Sequence, residues 1–317
     1  MKQQRGVALV TALLIVAIIV TVASLLAVGQ QVWLRQTQNL VDLSQAQMYQ
    51  RGAVEFAALL LKEDLKKSPA GELKKECTDP IPLPVDNGGV VITICDAQAR
   101  FSLNNITDTS EKGAYVRLLT AIDIDPTLGL ALSENLLDWI DDNSTTQPGG
   151  GAEDLDYMNL DPPRRAANQP LASIDELRMV KGYNNDDILK KLRNSVVVLP
   201  AGVSGSPKYH INVNTARKEV LMAVLNIAAQ HADQIINARP FKNLNDLKIL
   251  TSNLQGHAAY DVTSTYFIVS VQVYVGHTQR RAEALIERTG SGPWKTEIWW
   301  YRQPRIEIKS DDDKDKT

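Results

Sequence analysis

The sequence predicts an α+β protein in which a long amino-terminal helix packs on an antiparallel β-meander and a large α-helical segment is inserted between the strands. Three observations support this prediction. The first is an uncharged apolar run over Val7–Leu34 that continues in helical register to about Lys67. The others are strand-like segments near both ends of the remaining chain, and a long helical pattern between them.

The apolar run near the start is long enough to cross a membrane, which takes roughly 20 apolar residues in a helix. A secretory signal peptide would have an apolar core of only about 7–15 residues, so a single-pass anchor is favoured. Lys2 and Arg5 precede the run and place its start in the cytoplasm by the positive-inside rule. The rest of the chain is therefore expected outside the cytoplasmic membrane, and Ser68–Gly71 is expected to end the helix.

Strand patterns lie on both sides of a helical middle section. The β-branched run Val90–Cys95 predicts one strand, and a turn at Asp96–Gln98 leads to a second strand over Ala99–Leu103. Turns containing glycine separate three further strands, over Tyr266–Val275, Arg280–Arg288 and Trp294–Tyr301. The predicted helices between the two strand regions are Lys112–Ala121, Leu130–Ile140, Ile174–Val180, Asp186–Leu192, Arg217–Ala229, Ala232–Ala238 and Leu244–Leu250.

Composition and charge argue against a nucleic-acid-binding protein and against an enzyme. The 317 residues carry a net charge of -3, which gives no general attraction to nucleic acid. The four histidines are scattered along the chain, and no serine or cysteine lies in a recognisable nucleophile turn. A structural role is therefore expected.

Two cysteines, Cys77 and Cys95, form the whole cysteine complement. Both fall on the extracytoplasmic side of the predicted topology, where an even pair favours a disulfide over free thiols. Their spacing fits no usual zinc pattern. The predicted bond closes the loop between residues 77 and 95.

The first residues resemble a type IV prepilin leader, in which basic residues and Gly6 precede a long apolar helix. The resemblance implies that a prepilin peptidase cuts between Gly6 and Val7 and that Val7 is then N-methylated. Most such proteins carry glutamate as the fifth mature residue, whereas this chain has Thr11, as in K-type minor pseudopilins of type II secretion systems. From the leader alone, Thr11 is equally compatible with a neutral spacer in an ordinary anchor.

The helical spine, the β-meander and the large α-helical insertion together resemble the K-type minor pseudopilin family over nearly the whole chain. The resemblance implies a type IV pilin-like fold. The implied domains are a cleaved leader at 1–6, a transmembrane and spine helix at 7–67, a β domain at 68–107 and 262–304, an inserted α-helical domain at 108–261, and a disordered tail at 305–317.

Part of the insertion resembles helix-hairpin-helix units, which predicts SAM-like or helix-hairpin-helix repeats there. The resemblance covers Ile211–Ala216 and Ala228–Leu244, with a looser copy at Ile174–Leu192. Such units bind DNA through backbone N–H groups at a glycine-containing hairpin, but Leu225–Ala228 contains no glycine. DNA binding is therefore disfavoured, and a packing module is preferred.

The segment Asp138–Tyr157 is strongly acidic and turns at Pro148–Gly151. Carboxylates on both arms of such a turn can converge on Ca²⁺, which takes six to eight oxygen ligands. The segment also resembles the calcium-associated loop of the K-type family. The predicted structural Ca²⁺ ligands are Asp141, Asp142, Glu153 and Asp154, with Asp138 and Asp156 as reserves. The alternative is a solvated acidic loop.

The resemblance implies a minor pseudopilin in the inner membrane, with its globular part in the periplasm. It would initiate or cap the tip of the secretion pseudopilus and help to export folded exoproteins across the outer membrane. The implied partners are I-, J- and H-type minor pseudopilins, the major pseudopilin, the inner-membrane assembly platform and, as processing enzyme, prepilin peptidase. The alternative is a minor pilin of a type IV pilus or DNA-uptake system whose insertion binds DNA.

Overall fold

The computed structural model describes residues 4–67, 75–106, 109–200, 209–250, 259–289 and 295–304. The first residues of the predicted leader, the predicted helix end at 68–71 and the predicted disordered tail at 305–317 lie outside these ranges.

The described residues form eight α-helices and nine β-strands. The helices are α1 Gln4–Lys67, α2 Thr109–Ala121, α3 Pro126–Ile140, α4 Asp154–Met158, α5 Asp186–Leu192, α6 Lys218–Leu225, α7 Ala229–Ala238 and α8 Leu244–Leu250. The strands are β1 Ile81–Val85, β2 Gly88–Asp96, β3 Phe101–Ser102, β4 Val196–Val197, β5 Ile211–Asn212, β6 Tyr260–Asp261, β7 Tyr266–Val275, β8 Thr278–Thr289 and β9 Lys295–Arg302.

Helix α1 is one continuous helix of 64 residues with two different surroundings along its length. Within Leu9–Glu63 it is long and apolar enough to cross a membrane, by length and composition. Its apolar side chains over Leu9–Leu34 are exposed, with Leu25 at 69% and Trp33 at 65%. From Asp42 onwards, one side of the helix is buried against the sheet.

The large sheet is antiparallel throughout and has the strand order β1-β2-β7-β8-β9. Alternate residues of β2, such as Ile92 and Ile94, are buried against α1, as the two-residue period of a strand requires. The small residues Ala46, Ala53 and Ala57 on the facing side of α1 are also buried, so helix and sheet approach closely. This half of the chain has its own core.

A second core lies in the insertion, where α2 packs against both α3 and α6. The hydroxyl groups of Tyr115 and Tyr183 lie 2.9 Å apart inside it, and Tyr183 also donates to the backbone oxygen of Leu132. These bonds satisfy two phenol groups that are completely buried. The mixture of a long helix, an antiparallel sheet and a helical insertion agrees with the predicted fold class.

The predicted second strand, Ala99–Leu103, is confirmed only over Phe101–Ser102, and it lies outside the large sheet. A 3-10 turn at Ala97–Ala99 leads the chain away, and Phe101–Ser102 pairs in parallel with Val196–Val197 instead. The turn begins because the Asp96 carboxylate accepts the backbone N–H of Gln98 at 2.8 Å. Phe101 belongs to the core of the insertion, so that core starts before the predicted domain boundary at 108.

Two other predicted elements differ in detail, and one strand was not predicted. The predicted helix Arg217–Ala229 is divided, because α6 ends at Asn226 in a left-handed conformation with a φ of 51° and α7 starts at Ala229. The predicted helix at Ile174–Val180 is a 3-10 helix over Ile174–Met179. Strand β1 was not predicted because of Pro82 and Pro84, which an edge strand can accommodate.

The sheet and the insertion are joined at a buried carboxylate. Asp96, the last residue of β2, is 1% exposed. Its Oδ2 accepts the Thr215 hydroxyl at 2.6 Å, the Ser264 hydroxyl at 2.7 Å and the Asn212 amide at 2.8 Å. Burial raises the pKa of Asp96, and these hydrogen bonds oppose the rise. The carboxylate therefore links β2, the insertion and the segment that returns to β7.

Gln98 completes the junction beside Asp96. Its amide nitrogen donates to the backbone oxygen of His210 at 2.8 Å. Its amide oxygen accepts the backbone N–H groups of Thr265 at 2.6 Å and Tyr266 at 3.1 Å. Both chain segments that connect the sheet to the insertion are thus held by side chains from one short turn.

We expect Asp96→Asn to lower the free energy of unfolding by about 2–3 kcal/mol, because an amide presents a donor to groups that themselves donate to the carboxylate. Chemical denaturation of the full chain in detergent micelles measures the loss. Asp86→Asn, in the exposed turn between β1 and β2, is the matched control and should change stability by less than about 0.5 kcal/mol. Equal stability of the two variants would contradict the role given to Asp96.

Candidate functional site

The acidic segment folds back on the last turn of α3. The helix begins at Pro126, where the Asp125 carboxylate caps the N–H groups of Thr127 and Leu128, and it ends at Ile140. Gly150 then adopts a φ of 101°, which favours glycine, and lets the loop reverse. The chain re-enters helical structure at α4, directly after Glu153.

Asp138 lies at the centre of this fold although it was predicted only as a reserve ligand. Its side chain is fully buried, and its carboxylate accepts the N–H of Gln147 at 3.2 Å. A Cβ atom on Gly151 would overlap that carboxylate, so the loop covers it closely. Burial raises the pKa of Asp138 to about 6, and the negative charges of Asp141 and Glu134 add to the rise.

Glu153 faces the same interior from the other arm of the loop. The residue is 5% exposed, and neither of its carboxylate oxygens has a hydrogen-bond partner among the described residues. Burial, together with the negative charges of Asp138 and Asp141, raises its pKa to about 7. A buried carboxylate without partners is costly, which marks this position as one that a cation would stabilise.

Glu134, one turn before Asp138 on α3, was missed by the sequence reasoning. Its Oε1 accepts from the Lys112 ammonium at 2.9 Å, while its buried Oε2 has no partner in the described part of the chain. The available signal was the spacing of four between Glu134 and Asp138, which places both on one face of a helix.

The remaining predicted ligands have other surroundings. Asp154 accepts the N–H of Ala166 at 3.0 Å and lies 3.9 Å from Arg165. Asp156 pairs with Lys181 at 2.8 Å, and that hydrogen bond lowers its pKa. Each of these two carboxylates therefore already has a basic side chain nearby.

Asp141 and Asp142 follow α3 directly and lie nearer the surface. Asp141 accepts the N–H of Asn143 at 3.3 Å, and burial raises its pKa. Asp142 is exposed. Among the described residues, no three carboxylate, imidazole or thiolate groups already stand in an arrangement that could hold a metal ion. The unpartnered oxygens of Glu153 and Glu134 are nevertheless of the ligand type that a hard cation prefers.

The other predicted sites lie away from this loop. Gly6, Val7 and Thr11 are all part of α1. Cys77 and Cys95 are joined by a disulfide, with their sulfur atoms 2.14 Å apart.

Comparison with known proteins identifies relatives along almost the whole chain. Residues 99–201 and 211–270 match two family models, both described as type II secretion system protein K, and together these ranges cover just over half of the chain. Type II secretion system protein K of Pseudomonas aeruginosa is 29% identical over 310 residues, which cover 92% of this chain and 91% of that protein. The Aeromonas hydrophila protein of the same name is 28% identical and covers 90% of this chain and 94% of its own length.

A solved structure shares the fold. It is described as the GspK-GspI-GspJ complex from the enterotoxigenic Escherichia coli type 2 secretion system. The matched chain has a TM-score of 0.70 and 23% identity, and the alignment covers 85% of this chain and 99% of that chain.

In metal-free buffer we expect the protein to lose stability as the pH rises from about 4.5 to above 7. The pKa of Glu153 is about 7 in the folded chain against a usual 4.5, so its contribution is complete below 4.5 and is lost as the pH passes 7. Glu153→Gln should remove much of this dependence and raise the unfolding free energy at pH 8 by about 2–3 kcal/mol.

Thermal unfolding in chelator at pH 5 and pH 8 provides the measurement. Asp187→Asn, an exposed carboxylate on α5, serves as the control and should keep the pH profile of the unsubstituted chain. A profile that is the same for Glu153→Gln and the unsubstituted chain would show that Glu153 is not held in a desolvated site.

Proposed function

The chain belongs to the type II secretion system protein K family, and on that premise we propose that it is the minor pseudopilin that occupies the tip of the pseudopilus. There it initiates or caps fibre assembly, so that folded exoproteins are exported across the outer membrane. The observation that carries this proposal is the relationship to protein K along about nine-tenths of the chain. The role is mechanical, and no catalytic step is assigned to it.

The position of the insertion supports placement at the tip. The turn between β7 and β8 contains Gly276, which lies against Asp42 of α1. This end of the sheet is therefore the one nearer the membrane-spanning part of α1. The insertion joins the sheet at the opposite end, through Asp96 and Ser264. The bulky domain therefore stands at the end of the spine away from the membrane, where a further subunit would have to stack.

Thr11 supports the same placement. A carboxylate inside a bilayer is costly and is kept where it has a partner, such as the terminal amine of the subunit ahead in a fibre. A subunit at the tip has no subunit ahead of it, so Thr11 in place of glutamate at mature position five loses no such contact there. We assign the cleavage between Gly6 and Val7 to prepilin peptidase, with methylation of Val7.

The exposed face of α1 suits lateral contact with other helices. Leu40, Met48 and Leu59 lie outside the uncharged run and are 67%, 69% and 59% exposed. The structural relative was solved with GspI and GspJ, so I- and J-type minor pseudopilins are the proposed neighbours. H-type and major pseudopilins and the inner-membrane platform complete the assembly, and Lys2 and Arg5 orient the globular part to the periplasm. The repeats of the insertion serve as a SAM-like or helix-hairpin-helix packing module.

We propose that the acidic segment holds a structural Ca²⁺. Asp138 and Glu153 would be the central ligands, with Asp141 beside them. Glu134 would be a further candidate. Bound Ca²⁺ would supply positive charge to carboxylates that are buried with few hydrogen bonds. Asp154 and Asp156 would then orient the loop through Arg165 and Lys181.

Deletion of the gene should abolish exoprotein release and leave twitching motility and natural transformation intact. Plasmid-borne wild-type protein should restore release. Gly6→Val should fail to restore it, because the leader is not removed, and the mass of the extracted chain should be that of the uncut form. Gly29→Val is the matched control, since nothing lies within 4 Å of a Cβ at that helical position. Normal exoprotein release together with lost transformation would instead favour a DNA-uptake pilin.

Calcium at about 100 times its dissociation constant should stabilise the full chain in detergent micelles by about 2–3 kcal/mol, seen as a raised melting temperature. Glu153→Gln should remove that increase, because a neutral amide is a poor ligand for a hard cation. Asp175→Asn, an exposed carboxylate of the same insertion, should keep it. A melting temperature that is the same in calcium and in chelator would refute the calcium site and leave the secretion role untouched.

A further inference from the structure

Glu76 joins three segments that are far apart in the sequence. Its side chain is 11% exposed, and its Oε1 lies 2.7 Å from both Nε and Nη2 of Arg100. Its Oε2 accepts from Nε of Arg217 at 2.5 Å. Arg100 lies on the connection from the sheet to the insertion, and Arg217 directly precedes α6. One carboxylate thus connects the sheet edge, the outgoing connection and a central helix of the insertion.

The segment that carries Glu76 is joined to the end of β2 by hydrogen bonds and by a disulfide. The backbone oxygen of Glu76 accepts the N–H of Asp96 at 2.7 Å, and the N–H of Thr78 donates to the backbone oxygen of Ile94 at 2.9 Å. The Thr78 hydroxyl accepts the N–H of Ile94 at 3.1 Å. The neighbouring residue Cys77 is bonded to Cys95 in β2. Hydrogen bonds at a sheet edge open locally, whereas the covalent bond keeps the Glu76 carboxylate in place when they do.

We propose that the Cys77–Cys95 disulfide is a redox-sensitive clasp that sets how firmly the helical insertion is held on the sheet. In the oxidised form it keeps Glu76 between Arg100 and Arg217. A dithiol reductant opens it by thiol–disulfide exchange, in which the S–S bond breaks, each cysteine sulfur gains one electron and one proton, and the reductant becomes a disulfide. Both cysteines are half-buried, which leaves the bond within reach of a reductant.

Release of the clasp loosens one side of the junction and leaves the other in place. The hydrogen bonds of Asp96 and Gln98 involve neither cysteine side chain, and they keep both connections attached to the sheet. The contact that is lost is the one between Glu76 and Arg217, so the effect is expected in α6, which follows Arg217. The expected result is a more mobile insertion on an intact sheet.

Hydrogen exchange of the full chain in detergent micelles, followed by mass spectrometry, tests this inference. After treatment with dithiothreitol we expect exchange in α6 and in residues 97–100 to accelerate about tenfold, the size of a lost charged hydrogen-bond pair. Strands β7 and β8 should keep their protection. Oxidised Glu76→Gln should show the same acceleration in α6 with the disulfide intact.

Asp79→Asn provides the matched control, because Asp79 forms an exposed ion pair with Lys75 in the same segment. It should leave exchange in α6 unchanged. Unchanged protection of α6 after reduction would overturn the inference, and so would an oxidised Glu76→Gln variant that behaves like the unsubstituted chain. Equal acceleration in β7, β8 and α6 would also overturn it, since the bond would then be a general stabiliser of the fold.

Discussion

The architecture depends on a carboxylate that has been removed from water at the point where the chain leaves and re-enters the sheet. Strands β2 and β7 are neighbours, so the whole insertion must start and finish at adjacent positions. Two connections that turn out of a sheet leave backbone groups that no strand can pair. Asp96 and Gln98 satisfy these groups and bind side chains of the insertion at the same time. A purely apolar contact could not do this, because it has no direction and would not fix the angle between the two units.

Helix α1 must be stable in two different environments along its length. Its first part is apolar enough to cross a membrane, and its second part packs on the sheet. Its first half is apolar on all sides, which is typical of a helix in a membrane or in a protein core. Its second half is buried on one side, where Ala46, Ala53 and Ala57 allow the sheet to approach. Gln50 is completely buried on that side, and its amide has no hydrogen-bond partner in the described part of the chain. Such a group weakens the contact between helix and sheet, because the amide has lost its hydrogen bonds to water.

Long periodic elements could be predicted from the sequence, and short elements that depend on distant partners could not. Helices α5 and α8 have the predicted bounds because their apolar spacing and flanking polar residues are local. Strand β3 was predicted as part of the β domain, because its actual partner, Val196–Val197, lies far along the chain. The break between α6 and α7 occurs at Asn226, where no glycine or proline in the sequence predicts it. Helix α4 has only five residues and lies inside an acidic stretch that resembles a loop.

The acidic loop separates its carboxylates by burial, which charge density in the sequence does not predict. Glu153, a predicted ligand, and Asp138, a predicted reserve, are both buried, and Asp138 lies in the apolar stretch Leu136–Ile140 of α3. Burial decides the energetics, because a carboxylate in water is solvated, whereas a buried one needs hydrogen bonds, a proton or a cation. With the pKa of Glu153 near 7, the folded loop has two ways to neutralise that side chain, which are uptake of a proton and uptake of a cation. The two compete for the same oxygens, so cation binding must release protons and must weaken as the medium becomes acidic.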